Sequence, residues 1–138
     1  ISACLVGSEM CIRDRVTGGF TCFTDRLRVR LGLDDVRANV LEVVEGRMTG
    51  RLLPQAWGDI CDGEEKRRKL AEVCASLGVG MERAIAVGDG ANDLPMMRAA
   101  GLSVGYRAKP AVRQEVNVAI DEGGLDRLLE VVMTQRTE

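Results

Sequence analysis

Apolar or aromatic side chains recur at Phe20, Phe23, Leu27 and Leu31 with arginines between them, and Gly32 follows. That period predicts an amphipathic helix over 20–31, ended by the glycine. Residues 37–53 predict a β-hairpin, with Leu41, Val43 and Val44 on one arm, Glu45-Gly46 at the turn, and Met48 and Leu52 on the other. A second helix is predicted over 64–77, closed by Gly78. Beyond it come a short apolar strand at 84–87, a helix from about Asp93 to Ala100 closed by Gly101, and a strand at 102–106. Lys109-Pro110 opens a short helical segment, 116–120 is a last strand, and 125–133 a closing helix. Strand and helix alternate after residue 60, so the fold class expected is α/β, a parallel sheet flanked by helices.

Residues 1–15 break this pattern, with neither helical nor strand period and no methionine at position 1. A signal peptide is the competing account, but the apolar run is short and no positive region precedes it. The expectation is a leader foreign to the fold over 1–15, and over 16–138 the carboxyl-terminal part of a longer protein.

Composition narrows the function classes. A chain of 138 residues makes at most one domain. The formal net charge is −2 and no apolar stretch approaches a membrane span, so neither nucleic acid nor a membrane is expected as a partner. Of the 19 basic residues only Lys66, Lys69 and Lys109 are lysines, and the arginines are spread opposite Asp and Glu. Five cysteines, odd in number and without a C-x-x-C pair, argue against a disulfide framework and for the cytoplasm. The chain holds no histidine, which removes Ser-His-Asp hydrolysis, Cys-His nucleophiles and histidine zinc sites. Chemistry here rests on carboxylates, lysine and hydroxyls. Oligomeric state is not legible.

The strongest chemical signal is Val87-Gly88-Asp89-Gly90-Ala91-Asn92-Asp93-Leu94-Pro95-Met96-Met97. It sets two carboxylates and a carboxamide directly after a buried strand, where open α/β sheets place their ligands. Glycines let the backbone bend and leave room for a close ligand. Hard oxygen donors on a rigid turn suit Mg²⁺ better than zinc. The plain alternative is a glycine turn with an Asp or Asn helix cap. Thr17-Gly18-Gly19 before a helix is a second candidate, either a phosphate-binding turn or a simple threonine cap. Lys66 taken alone reads as an ordinary surface lysine in the Glu-Glu-Lys-Arg-Arg-Lys run. Trp57 is read as a loop anchor packed on the core, with a partner contact as the alternative.

In their order Thr17-Gly18-Gly19-Phe20, Lys66, Gly88-Asp89-Gly90-Ala91-Asn92-Asp93 and Ala108-Lys109-Pro110 resemble the haloacid dehalogenase superfamily. The N-x-L-E-x-x-x-G-x-x-T-G pattern over 39–50 makes the resemblance specific to its phosphoserine branch. A P-type ATPase fragment would share the G-D-G-x-N-D run, but long apolar spans should then follow it. The resemblance implies a Rossmann-like core with the hairpin as an insertion, bound Mg²⁺, and hydrolysis of a small phosphomonoester, O-phosphoserine, through an aspartyl-phosphate in serine biosynthesis. It implies Asp89 as a Mg²⁺ ligand, with Asp93 in the metal's outer shell orienting water or the lysine. It further implies Asn92 on the substrate, Lys66 on the transferred phosphoryl group with Lys69 as the competing register, and Thr17 with Gly18 as the phosphate turn. Thr17 stands where the branch usually has serine, and the stretch 52–57 is slightly long. Lys109 is given no catalytic role.

One motif of the family is missing. No D-x-D followed by a hydroxyl residue occurs after an apolar strand in this chain, so the nucleophile and the cap that follows it are absent. The 138 residues alone are therefore expected not to turn over substrate, and the unfilled place of the first strand is expected to leave an exposed sheet edge. The alternatives are a phosphatase for another small phosphomonoester, or a non-catalytic remnant that binds metal or phosphate.

Overall fold

Seven strands form one sheet in the computed structural model, which describes residues 2–6 and 11–135. They are β1 (Ser2–Val6), β2 (Cys11–Phe20), β3 (Asp35–Val44), β4 (Arg47–Leu53), β5 (Ala84–Gly88), β6 (Leu102–Tyr106) and β7 (Val118–Ile120). The spatial order is β4-β3-β2-β1-β5-β6-β7. β2 runs parallel to β3, and β5, β6 and β7 are mutually parallel. β1 is antiparallel to both β2 and β5, which therefore run the same way. One expectation, that of an exposed sheet edge, is corrected here. The stretch before Val16 contributes a strand and the first half of another, and β1 occupies the centre of the sheet where an exposed edge was expected.

β5 shows why the sheet needs helices on both sides. Ala84 and Ala86 face one core with Leu70 and Cys74 of α2 (Gly63–Ser76) and Met96 and Met97 of α3 (Leu94–Ala99). Ile85 and Val87 face the other, with Val104, Ile120 and the side chains Leu128, Val131 and Val132. The last three belong to α5 (Arg127–Gln135), and α4 (Pro110–Arg113) adds Val112 to the first core. All five residues of β5 are buried, as alternation onto two apolar layers requires.

The remaining elements fall close to expectation, with one difference. α1 (Thr21–Leu31) ends at Gly32 with φ +62°, but its apolar side chains do not build a core. Phe23, Val29 and Leu31 are exposed, and Thr24 is the buried residue of the helix. The hairpin turns at Glu45-Gly46, both with positive φ (49° and 76°), the geometry that matches strand twist in a two-residue turn. Trp57 is half-buried, and the Arg37 guanidinium lies 5.4 Å from its ring centroid. No helix among the described residues is long and apolar enough to cross a membrane.

Candidate functional site

β5 ends in Gly88, and the chain turns at once into a 3-10 segment, Ala91–Asp93, that leads into α3. Asp93 folds back over this turn. Its Oδ2 accepts the backbone N–H groups of Asp89 (3.0 Å) and Gly90 (3.2 Å), and its Oδ1 accepts Lys66 Nζ at 2.6 Å. Both partners of that ion pair are buried, Asp93 at 1% exposure and Lys66 at 4%. Burial pushes the Asp93 carboxyl up, but the hydrogen bond and charge of Lys66 and the two backbone donors outweigh it and hold the group below its ordinary value. Asp93 thus ties the loop to α2 through both of its oxygens.

Two glycines make this closeness possible. A Cβ on Gly88 would lie 2.5 Å from Asp93 Cβ and 2.7 Å from Met97 Sδ. A Cβ on Gly63 would lie 2.7 Å from the Asn92 carbonyl oxygen, so the start of α2 also abuts the loop. That start is fixed by Asp62, whose side chain accepts the Glu65 N–H at 2.9 Å, and Lys66 falls in the first turn, within reach of Asp93. Gly88→Ala is expected to cost about 1–3 kcal/mol of unfolding free energy through overpacking. Urea denaturation checks this; a loss under roughly 0.5 kcal/mol, the range of neutral surface changes, would show that the contact is not tight.

Across the cavity, the end of β2 is irregular, its register with β3 shifting between Val16 and Phe20. Thr17 Oγ1 accepts the Gly19 N–H at 3.1 Å. The plain-cap reading of Thr17 is thereby removed, because the helix cap is Phe20, which provides no side-chain bond. Of the N–H groups of this turn, that of Gly19 is already used. Gly18 is held from behind: its carbonyl accepts Asn39 Nδ2 at 3.0 Å, and Asn39 Oδ1 accepts the Cys61 N–H at 2.7 Å.

Thr17, Gly18, Lys66, Asp89, Asn92 and Asp93 all line one cavity of ≈ 850 Å³ at the carboxyl ends of β2 and β5. The six residues expected to bind metal, phosphate or substrate thus line one cavity. Lys69 is not among them; it pairs with Asp35 at the opposite end of the sheet, away from the cavity. Lys109 is also outside the lining, but its N–H donates to the Asp89 carbonyl at 3.0 Å. Sequence reasoning missed Arg15, Gly19, Tyr106 and Arg107 in the lining, and Asn39 behind it. A carboxamide between Ala38 and Val40 in a predicted strand was the available signal for Asn39. Cys61, behind the turn, is kept a neutral thiol by burial, which pushes it up despite the nearby Lys66 charge.

For a divalent cation the donor set is thin. Among the described residues no three His, Cys, Asp or Glu side chains converge on one point. Both Asp93 oxygens accept hydrogen bonds, from Lys66 and from two backbone N–H groups, which suits the outer role that the resemblance implies. Asp89 is exposed in the cavity and its carboxylate has no side-chain partner among the described residues. Because Mg²⁺ keeps several waters and takes one or two carboxylates plus phosphate, that single hard oxygen donor fits it.

Comparison with known proteins agrees with this geometry. The family model described as haloacid dehalogenase-like hydrolase matches residues 16–98. A phosphoserine phosphatase of Polaromonas sp. is 65% identical over 117 residues, covering 85% of this chain and 50% of the relative. One from Streptomyces coelicolor is 46% identical over 89% of this chain and 29% of its own length. Among solved structures, a substrate-bound phosphoserine phosphatase complex superposes with a TM-score of 0.79 at 32% identity, covering 87% of this chain and 55% of that one. A probable phosphoserine phosphatase from Vibrio cholerae, unliganded, gives a TM-score of 0.74 at 41% identity, covering 81% and 33%. The chain spans about half the length of the Polaromonas relative.

Proposed function

Since this chain belongs to the haloacid dehalogenase-like hydrolase family, we propose that its cavity is the phosphate-binding half of a Mg²⁺-dependent phosphatase whose substrate is O-phosphoserine. The observation that carries the reading is the Lys66–Asp93 pair, which fixes an ammonium group beside the Asp89 carboxylate and opposite the Thr17-Gly18-Gly19 turn. A phosphate dianion in this cavity accepts hydrogen bonds from Lys66 Nζ and from the Thr17 hydroxyl, whose oxygen already accepts the Gly19 N–H and whose proton is free to donate. Asp93 holds the Lys66 side chain at the cavity, and the Asn92 amide donates to the substrate without adding charge. Asp89 holds Mg²⁺, which when bound neutralises phosphate charge. The positioned charges lower the cost of bringing an anion to a phosphoryl centre.

Hydrolysis also needs a nucleophile, and Asp89 and Asp93 are the carboxylates of the cavity lining. We therefore read the 138 residues as binding phosphate without turning the ester over, with the nucleophile supplied by the half of the relatives that this chain does not match. The site would work in the cytoplasm, where free thiols such as Cys22, Cys61 and Cys74 persist. The test is reconstitution with the unmatched amino-terminal part of the Polaromonas relative. The chain alone is expected to release no phosphate from O-phosphoserine; the mixture releases it only with Mg²⁺. Lys66→Met or Asp89→Asn lowers that rate by about 10²-fold or more. A mixture that stays inactive while the chain still binds phosphate would replace this reading with that of a non-catalytic binding remnant.

A further inference from the structure

We infer that β1 is a removable plug, and that its place between β2 and β5 is a docking slot for a parallel strand of a second polypeptide. The inference rests on the reading above that the half of the relatives unmatched by this chain supplies the nucleophile. β2 and β5 run the same way, and β1 lies between them antiparallel to both. From β2 the chain continues through α1 to β3 on one side, and from β5 through α3 to β6 on the other. The strand order thus reverses at β1, and open α/β sheets bind ligands at such a point, outside the carboxyl ends of the strands. A nucleophile aimed at a phosphate between Thr17 and Asp89 is best carried on the carboxyl end of a strand in that place. β1 offers the opposite, its amino end, with Ser2 opposite Arg15 and Ala3 opposite Ala86. Its sequence, Ser2-Ala3-Cys4-Leu5-Val6, carries no carboxylate.

The ladders of β1 stop short of the cavity. With β5 it pairs through Ala3, Cys4 and Leu5 and reaches Ala86, whereas β6 continues along β5 to Gly88. With β2 it stops at Arg15, before the Thr17 turn. Among the described residues, Val87 and Gly88 therefore have a strand partner on the β6 side alone, and unpaired strand backbone is a template for another strand. A longer strand entering parallel to β5 pairs first at Val87 and Gly88 and then peels β1 away from its amino end, one ladder replacing another by strand addition. Because β5 beside it is buried on both faces, the incoming strand is a continuous apolar run that delivers its carboxylate at the cavity end. β1 also lies outside residues 16–98, the part that the family model matches.

The experiment locks β1 in place. Cys4 stands opposite Ile85, and opposed residues of an antiparallel pair have Cα atoms about 4.5–5.5 Å apart, a separation that a disulfide spans. Full-length Ile85→Cys, oxidised and reduced, is titrated with the unmatched amino-terminal part of the Polaromonas relative in the analytical ultracentrifuge, beside the oxidised parent chain. The reduced variant and the oxidised parent are expected to associate with it. The oxidised variant associates at least about tenfold more weakly, because the open form is withdrawn, and dithiothreitol restores it. Trp57 emission, the same in both forms, shows that the fold is intact. Leu5 pairs with Ile12 on one side and Ala84 on the other, so Leu5→Pro removes a ladder N–H and should tighten association by about tenfold. Equal association of the oxidised and reduced forms, or no gain with Leu5→Pro, overturns the plug, while phosphate release by the mixture keeps the reading on which it rests. Association by none of the proteins overturns that reading, and this inference with it.

Discussion

Asp93→Asn is expected to remove about 3–5 kcal/mol of stability, the cost of leaving one member of a buried ion pair without its partner. The exchange strips the acceptor charge from Lys66, whose ammonium is 4% exposed and has no other carboxylate in contact among the described residues. Lys66→Met should cost less, because the Asp93 carboxylate it abandons keeps the N–H groups of Asp89 and Gly90. The double variant Lys66→Met with Asp93→Asn should recover part of the loss, since the buried charge is then gone from both sides. Urea unfolding of the four proteins measures the cycle, and equal losses for the two single variants would show that the loop donors contribute nothing. Acidity supplies an independent check. Asp93 titrates below its ordinary value of 3.8 in the folded chain. Its contribution is therefore fully present above the unfolded value and lost as pH falls below it, through the depressed folded value. The difference between the parent chain and Asp93→Asn should shrink over that acid window and stay constant at neutral pH.

The same pair shows what the sequence made legible and what it withheld. The segment from β5 to β6 could be read almost residue by residue, because a short apolar run, two close glycines and a proline-led helix are local signals that tertiary packing here reinforces. Choosing Lys66 over Lys69 was different. Both lysines are buried on the same helix, one turn apart, and only the direction of α2 decides the matter. The helix begins at the carboxyl ends of the strands, so its first turn faces the cavity, and each further residue rises about 1.5 Å toward the other end. Orientation of that kind has no trace in spacing.

Other misses have related causes. The period of α1 was correctly helical, yet periodicity does not say whether a face is covered, and Phe23, Val29 and Leu31 remain open. β1 and the first half of β2 escaped because their order comes from ladders with neighbours distant in sequence, Ala3 with Ala86 among them. Arg107 was missed because its place in the lining follows from the strand order that sets β6 beside β5. Local composition named α1 and β6, while long-range pairing decided what each faced.

Arg37→Met should destabilise the chain about as much as Asp93→Asn, by about 3–5 kcal/mol, although it lies outside the cavity. Arg37 projects from β3 to α2, donating Nη1 to Glu65 Oε1 at 2.7 Å and Nη2 to Glu72 Oε2 at 2.8 Å. Glu65 is 1% exposed, and its remaining cation is Arg68, an exposed side chain at 3.2 Å. Methionine keeps much of the arginine stem's volume, so the change removes charge more than packing. The loss should therefore trace to the stranded Glu65 carboxylate, and the double variant Arg37→Met with Glu65→Met should restore most of it. Arg37→Lys should restore little, because one ammonium cannot bridge two carboxylates with the arginine fork's geometry. The chain's one tryptophan, Trp57, reports the same event optically, since the guanidinium rests on its ring. Its emission should change in every Arg37 variant, whereas Glu65→Met alone should alter stability with the smaller optical effect. A stability loss under about 1 kcal/mol for Arg37→Met would mean that Arg68 already satisfies Glu65. Because α2 carries Lys66 one residue after Glu65, the β3–α2 pairing also sets the height of the lysine against Asp93. Phosphate affinity should then fall with Arg37→Met even in conditions where the variant remains folded.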